Sequence, residues 1–185
     1  MTEPAPEHPL PHALMEGRPN PEPADGIASN GIARESVWSY PRPPRVEPCP
    51  RRVRVLLAGE TVAESTSAVR VLETAGAPVI YVPPADVRAD ALRETGATSF
   101  CEWKGVASYF DIVVEEGMIE RAAWAYPDPT PSFVSITDYL SFYPARLECY
   151  LDDERVEPQP GMFYGGWVTA EITGPIKGGP GSERW

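Results

Sequence analysis

Short segments typical of strands, separated by tight turns, fill the chain from Arg51 onward, and this spacing constrains its fold more than any other feature. The first pair is RRVRVLLA and TVAES, on either side of Gly59-Glu60, and a later pair lies within RLECYLDDERV, where Asp152-Asp153 marks the turn. Turns this short join antiparallel strands, because a parallel pair needs a long crossover connection. The sequence therefore predicts a mainly β fold, bordering on α+β, with antiparallel sheets and one or two short helices.

The segments between these hairpins contain both strand and helix signals. Further strands are predicted at PVIYV, TSFCEWKG and VASYFDIVVEEG. Residues 65–73 fit either a strand or a short helix capped by Ser65, and we favour the strand because of their β-branched residues. Asp86 is predicted to cap a brief helix over residues 87–94. Residues 133–140 are predicted to form one or two helical turns.

Composition divides the chain into four regions. Residues 1–36 contain many prolines and few apolar side chains, so we expect a disordered leader that cannot bury enough surface to fold. Residues 37–50 mix prolines with Trp and Tyr, and are predicted to be an extended arm. Residues 51–157 are the predicted β-rich domain. Residues 158–185, rich in Gly and aromatics, are predicted to be a C-terminal extension that packs partly on that domain.

Charge and hydropathy exclude several classes of function. The net charge of −11 and the scattering of the basic residues argue against nucleic acid as a partner, because binding phosphates needs a basic face. No apolar run of about eighteen residues occurs, so we expect no membrane span and no membrane partner. The N-terminus has neither the basic start nor the apolar stretch of a signal peptide, so we expect an acidic, cytoplasmic protein.

Histidine and cysteine are sparse, which limits the chemistry. The two histidines, His8 and His12, both lie in the predicted leader, so the domain lacks the commonest general base and metal ligand. A Ser-His-Asp triad is therefore excluded. Cys49, Cys101 and Cys149 are widely spaced, without the CxxC pairs of a zinc site or the even number of a disulfide framework. We expect no metal and no organic cofactor.

Cys101 and Lys104 are the candidate catalytic residues. A lysine ammonium beside a cysteine stabilises its thiolate, which makes the cysteine a better nucleophile. On a regular strand, positions three apart point to opposite faces, so the two side chains meet only if the chain bends near Trp103. The alternative is that Cys101 is a small buried hydrophobic residue and Lys104 a surface charge. Cys49 and Cys149 are predicted to be structural.

Aromatic residues recur across the same segments. Trp and Tyr offer flat apolar surfaces with a polar group at one end, which suits the binding of a sugar, a ring or a chain-like ligand. Each one alone is explained as well by a place in the core, but we expect at least two to line a pocket. The candidate ligand-binding residues are Tyr81, Trp103, Tyr109, Trp124 and Tyr126, together with Ser65.

Three stretches, taken together, resemble a known family. They are RVRVLLAGETVAES followed by LETAGAPVIYVPPADV, then TSFCEWKGVASYFDIVV, and finally AAWAYPDP with LSFYPARLECYLDDERV. In this order they resemble the bacterial family called domain of unknown function 427, in an actinobacterial form with a glycine-rich C-terminal extension. The resemblance implies two antiparallel sheets that meet along one edge like a tent, with a ligand-sized cleft between them. The family also carries a nucleotidyltransferase-like label.

The sequence leaves several functions open. We favour a small-molecule-binding β domain whose aromatic-lined cleft holds a small organic ligand. The alternatives are an enzyme that uses Cys101 with Lys104 in that cleft, a protein-interaction module that presents the proline-rich arms, and a nucleotidyltransferase-like activity. The segment GPIKGGPGS in the extension lacks the spacing of a phosphate-binding loop and does not support the last of these. No oligomeric state is indicated.

Overall fold

The computed structural model describes residues 24–161, 163–182 and 185. Residues 1–23 of the predicted leader, which include both histidines, lie outside this range. Strands dominate the described residues, whose helical segments are short 3₁₀ turns, so the predicted mainly β class with antiparallel sheets is confirmed. No helix among these residues has the length and apolar character needed to cross a bilayer.

Short strands follow one another along the described residues. In chain order they are β1 (Glu35–Ser36), β2 (Arg45–Pro48), β3 (Val53–Leu57), β4 (Glu60–Ser65), β5 (Val69–Leu72), β6 (Val79–Tyr81), β7 (Leu92–Cys101), β8 (Gly105–Val114), β9 (Gly117–Ala125), β10 (Ser141–Phe142), β11 (Glu148–Leu151), β12 (Glu154–Arg155), β13 (Glu157–Pro158), β14 (Trp167–Val168) and β15 (Ile172–Thr173). The 3₁₀ turns are Val37–Ser39, Pro84–Asp86, Ala89–Ala91 and Pro131–Ile136.

Three antiparallel sheets hold most of these strands. The first sheet has the order β12-β11-β3-β4, the second β10-β9-β8-β7, and the third β2-β5-β6, in which β2 comes from the predicted arm. Two small pairs are added, antiparallel β13-β14 and parallel β1-β15. The resemblance implied two sheets. The structure has a third main sheet, because β2, β5 and β6 pair among themselves. Two backbone hydrogen bonds between Val82 and Leu140 link this third sheet to the second.

Both predicted hairpins form, and their turn residues explain why. β3 and β4 meet at Ala58 and Gly59, whose φ angles of 50° and 82° suit a tight turn that matches the twist of the paired strands. In the β11–β12 hairpin, Asp152 adopts a φ of 52° at the turn. The strand interpretation of residues 65–73 is also confirmed, because residues 69–72 form β5 and pair with strands on both sides.

The predicted helix over residues 87–94 is wrong. Within it, the segment Ala89–Ala91 forms one 3₁₀ turn, and β7 begins directly afterwards at Leu92. Cross-strand pairing explains the difference, because Leu92 lies opposite Ile112 of β8 and its backbone belongs to the sheet. Gly96, which a helix would use as its end, has a φ of 71° at an irregularity in the β7–β8 register.

Two hydrophobic clusters pack between the main sheets. The main core joins the first and second sheets and includes Val55 of β3, Val62 of β4 and Ile112 of β8. The second cluster, called here the aromatic cluster, joins the second and third sheets. Its buried members are Val71, Tyr81, Ala107, Trp124, Tyr126, Phe133 and Ile136. The last two come from the 3₁₀ turn Pro131–Ile136, which lies where the sequence predicts helical turns.

Residues 24–36, which their composition assigns to the leader, contact the domain. β1 pairs with β15, and Asn30 donates hydrogen bonds to Glu154 (2.8 Å) and Glu171 (2.7 Å). Both carboxylates also bind the guanidinium of Arg51. These polar contacts link residues 24–36 to the β11–β12 hairpin and to the C-terminal extension.

Candidate functional site

An open cleft of about 160 Å³ lies beside the aromatic cluster, between the second and third sheets. Strands β6 to β9 supply most of its walls. The turn between β7 and β8, the residues directly after β9 and β10, and the C-terminal extension supply the rest. Its lining residues are Val79, Tyr81, Ser99, Phe100, Cys101, Lys104, Tyr109, Trp124, Tyr126, Tyr143, Phe163 and Gly165. None of these described residues carries a carboxylate.

A second cavity of about 290 Å³, called here the outer cavity, adjoins the cleft. The residues common to both are Ser99, Tyr109, Tyr143 and Phe163. The outer cavity adds two basic side chains, Arg121 and Arg146. Arg146 donates to the backbone carbonyl of Glu120 (2.9 Å) and lies 5.9 Å from the ring centre of Tyr143. Neither arginine forms an ion pair within the described residues, so both cavities have a basic character.

The sequence AAWAY, at the end of β9 and just beyond it, explains the aromatic wall of the cleft. Successive side chains of a strand point to opposite faces of the sheet. Ala123 and Ala125 pack into the main core, whereas Trp124 and Tyr126 belong to the aromatic cluster. Small side chains therefore face the first sheet, and large rings occupy the space toward the third.

Hydrogen bonds and ring contacts fix these aromatic side chains. Trp124 donates its indole N–H to the hydroxyl of Tyr81 (3.3 Å), and the two rings meet edge to face with their centres 6.3 Å apart. Tyr143 packs against Trp124 with ring centres 4.4 Å apart. The hydroxyls of Tyr109 and Ser99 share a hydrogen bond of 2.9 Å between neighbouring strands. The walls of the cleft are thus held by directional contacts as well as by packing.

Three tyrosines of the cleft, of which Tyr81 and Tyr126 are buried and Tyr143 is half-buried, stay protonated near neutral pH. Burial raises the pKa of Tyr81, Tyr126 and Tyr143 above the ordinary value, because a buried phenolate loses its hydration. A neutral phenol both donates and accepts hydrogen bonds. The cleft therefore offers uncharged O–H donors beside its aromatic faces.

Lys104 is the charged residue that lines the cleft. Only 8% of it is exposed, although it belongs to the turn between β7 and β8. Its ammonium nitrogen lies 5.6 Å from the ring centre of Phe133 and 5.9 Å from that of Tyr126, which is within the range of cation–π contacts. Among the described residues this nitrogen has neither a carboxylate partner nor a hydrogen-bond acceptor. The stem of Lys104 is therefore buried, and its ammonium lies at the surface of the cleft.

Backbone contacts hold this turn against the loop that follows β9. The amide of Thr130 donates to the carbonyl of Lys104 (3.2 Å), and the Thr130 hydroxyl donates to the carbonyl of Trp103 (2.6 Å). Gly105 completes the turn with a φ of 96°, a conformation that favours glycine. The bend brings Cys101 and Lys104 to the same cleft, which a straight strand would not allow.

Cys101 differs from the other two cysteines in its exposure. It is half-buried at the end of β7 and lines the cleft, whereas Cys49 and Cys149 are buried. Burial raises the pKa of both buried thiols. Of the three thiols, Cys101 is thus the one within reach of a molecule in the cleft. No group of three or more His, Cys, Asp or Glu side chains that could hold a metal ion occurs in the described part of the chain.

Six of the eight predicted site residues line the cleft, namely Cys101, Lys104, Tyr81, Tyr109, Trp124 and Tyr126. Trp103 packs against the aromatic cluster, and its indole N–H is buried without an acceptor among the described residues. Ser65 lies apart from the cleft, on β4 of the first sheet. Its hydroxyl donates to Asp86 (2.5 Å) and accepts from the amide of Ser67 (3.0 Å). These bonds hold the neighbouring loop and leave Ser65 without a place in the cleft.

Sequence reasoning missed several lining residues. Ser99 could have been predicted, because it precedes Cys101 by two positions on β7 and therefore lies on the same face of the strand as Cys101. Phe163 and Gly165 come from the distant extension, and no local pattern indicates that they return to the cleft. Gly165 rests so closely on the indole of Trp124 that a Cβ atom there would overlap the ring.

Comparisons with known proteins bear on the family of the chain and not on an activity. No curated protein matches the chain. The family model described as a domain of unknown function (DUF427) matches residues 45–153, which include every lining residue of the cleft except Phe163 and Gly165. Because this match covers more than half of the 185 residues, the chain belongs to the DUF427 family.

Proposed function

We propose that the chain binds a small organic molecule in the cleft between the second and third sheets. The observation that carries this proposal is the open space of about 160 Å³ bounded by Tyr81, Trp124 and Tyr126. Small-molecule sites combine apolar and aromatic walls with a few fixed polar groups. Here the polar groups are the ammonium of Lys104 and the hydroxyl of Ser99, together with the neutral phenols.

The dimensions of the two cavities favour a flat ligand of modest size. The cleft accommodates a body about the size of one ring, and the adjoining outer cavity of about 290 Å³ leaves room for a substituent or a chain. The walls are preorganised by the Trp124–Tyr81 and Tyr109–Ser99 hydrogen bonds. Binding therefore requires little ordering of these side chains, which favours affinity.

Catalysis by Cys101 is a second candidate function, and one observation favours it. Cys101 and Lys104 line the same cleft, so a bound molecule would meet a thiol and a cation together. Nucleotidyl transfer has less support, because that chemistry uses carboxylates to hold its metal ions, and the described lining of the cleft carries none.

The test is to fill the cleft with a side chain and measure the loss of binding. Ser99→Phe places a ring in the space that both cavities share. Thr66→Phe makes the same kind of change at an exposed position away from the cleft and serves as its control. A library of small aromatic and sugar-like compounds would be screened against both variants and the unmodified chain by ligand-observed NMR.

We expect a group of flat compounds to bind the unmodified chain and Thr66→Phe, and to lose binding to Ser99→Phe. The proposal fails if no compound binds the unmodified chain, or if Ser99→Phe binds the same compounds as tightly as Thr66→Phe does. Circular dichroism of the two variants establishes that the fold is retained.

A further inference from the structure

The buried basic side chains of this protein differ in their partners. Arg51 pairs with three carboxylates, Arg70 with two and Lys177 with one. Lys104 is as deeply buried as Arg51 and Lys177, and more deeply than Arg70, yet it has no carboxylate partner in the described chain. The Lys104 stem is buried, but its ammonium nitrogen is not a fully buried atom, so the charge sits at the surface of the cleft with two ring contacts and no partner of opposite sign in the described chain.

The surroundings of Lys104 favour an anion. The chain has 27 Asp and Glu residues and a net charge of −11, but none of these carboxylates is among the described residues that line either cavity. The outer cavity adds Arg121 and Arg146, which have no ion pairs in the part of the chain that the structure describes. A basic recess in an otherwise acidic protein concentrates negative ligands at one place.

We infer that the ligand of the cleft is a small organic anion, with its flat body against Trp124 and its carboxylate or phosphate bound by Lys104. Such a group would provide the ion pair that the chain itself leaves open, through charge-assisted hydrogen bonds from the ammonium. The neutral phenols of the cleft are able to donate to a bound anion, and no carboxylate of the described lining would repel it. This inference rests on the proposed binding function and specifies its ligand class.

The test compares ligands that differ only in charge. Benzoate and benzamide, and 2-naphthoate and 2-naphthamide, are near-isosteric pairs, and phenyl phosphate separates a preference for phosphate from one for carboxylate. Affinities for the full chain would be measured by NMR titration at neutral pH and constant ionic strength. We expect the affinity for each anion to exceed the affinity for its amide by about tenfold or more, which corresponds to the contribution of a hydrogen bond to a charged group.

Two variants locate the preference at Lys104. Lys104→Met keeps the unbranched apolar stem of the side chain and removes its charge, whereas Arg93→Met removes one charge from an exposed position on β7 outside both cavities. Lys104→Met is expected to abolish the preference, so that each anion binds no more tightly than its amide. Arg93→Met is expected to change neither affinity. Because Lys104 has no ion pair in the described residues, the melting temperature of Lys104→Met should equal or exceed that of the unmodified chain.

Equal affinity of the unmodified chain for both members of each pair would overturn the anion inference and leave the proposed cleft function intact. The same holds if Lys104→Met binds the anions as tightly as Arg93→Met does. If no probe binds, whether neutral or anionic, both the inference and the proposed function are overturned. The comparison of anion with amide uses the unmodified chain, so its outcome does not depend on the folding of any variant.

Discussion

Trp124 of β9 donates a hydrogen bond of 3.3 Å to the hydroxyl of Tyr81 on β6, and this contact joins the second sheet to the third within the aromatic cluster. Both residues are buried, so water does not replace either partner easily. The two rings that bound the cleft are therefore held in place by a directional bond as well as by packing.

Tyr81→Phe tests the importance of this bond for stability. The substitution leaves the indole N–H of Trp124 buried without an acceptor, so we expect the free energy of unfolding to fall by about 1–3 kcal/mol. Urea denaturation followed by circular dichroism measures this change. The control is Tyr150→Phe, since the hydroxyl of Tyr150 is only partly buried and its partner Glu148 has access to water. Its loss should stay within about 0.5 kcal/mol, and equal losses in the two variants would contradict the assignment.

Gly165→Ala tests the contact between the C-terminal extension and the cleft. The added methyl group would overlap the indole of Trp124, so one of the two must move, and we expect a loss of about 1–3 kcal/mol in the free energy of unfolding together with a change in tryptophan fluorescence. Gly117→Ala is the matched control, because a Cβ atom there meets open space and its φ is not positive. Similar behaviour of both variants would show that the extension does not rest on Trp124.

Arg51→Met tests the ion pairs that connect Arg51 with the β11–β12 hairpin and with the C-terminal extension. The substitution removes the cationic partner of Glu171, whose carboxylate is buried, and we expect a loss of about 3–5 kcal/mol in the free energy of unfolding by urea denaturation. Arg52→Met is the control, since its ion pairs with Glu64 and Asp153 are exposed and should contribute less than about 1 kcal/mol.

The same ion pairs predict how stability depends on pH. Burial alone would raise the pKa of Asp152 and Glu154, but hydrogen bonds outweigh it and lower both, with Arg51 as a common donor. A lowered carboxyl pKa contributes stability above the unfolded value of about 4, and this contribution is lost as the pH falls through the folded values. We expect the free energy of unfolding of the unmodified chain to drop below about pH 4, and to drop less in Arg51→Met. Equal acid dependence would count against the assignment.

Alkylation of the native protein should single out Cys101. Iodoacetamide at neutral pH is expected to modify Cys101 first, because Cys49 and Cys149 are buried and their thiol pKa values are raised by burial. Peptide mass spectrometry over a time course measures the three rates. The denatured chain, in which all three thiols are accessible, is the control. Modification of Cys49 as fast as Cys101 in the native chain would contradict the assigned exposures and weaken the case for catalysis.

Local chemistry made parts of this fold predictable. The β3–β4 and β11–β12 hairpins follow from turn residues whose backbone preferences act over two positions, at Gly59 and Asp152 among others. The helix over residues 87–94 was not correctly predicted, because its propensity is overridden by pairing with β8, a strand that follows later in the chain. Helix propensity depends on the residues of one segment, whereas strand formation also depends on the neighbouring strand with which the segment pairs.

The candidate site was likewise predictable where local pattern decides it, and not where distant parts of the chain do. Trp124 and Tyr126 could be predicted as a pair, because alternation along one strand places them on one face. The shared location of Cys101 and Lys104 depended on a bend at Gly105, which glycine makes possible but does not require. The return of Gly165 to the cleft is set by the packing of the extension and leaves no pattern in the nearby sequence.

β9 lies between the main core, which holds its small side chains, and the cleft, which holds its large aromatic ones. Ala123 and Ala125 face the main core and Trp124 and Tyr126 the cleft, so a larger residue at either alanine displaces the strand that carries both rings. A larger side chain at Ala125 would therefore shift Trp124 and Tyr126 from the far side of the sheet, without contacting either ring. Packing of the main core and placement of the cleft's rings are thus mechanically coupled through one backbone, and the side chains chosen on one face restrict those that fit on the other.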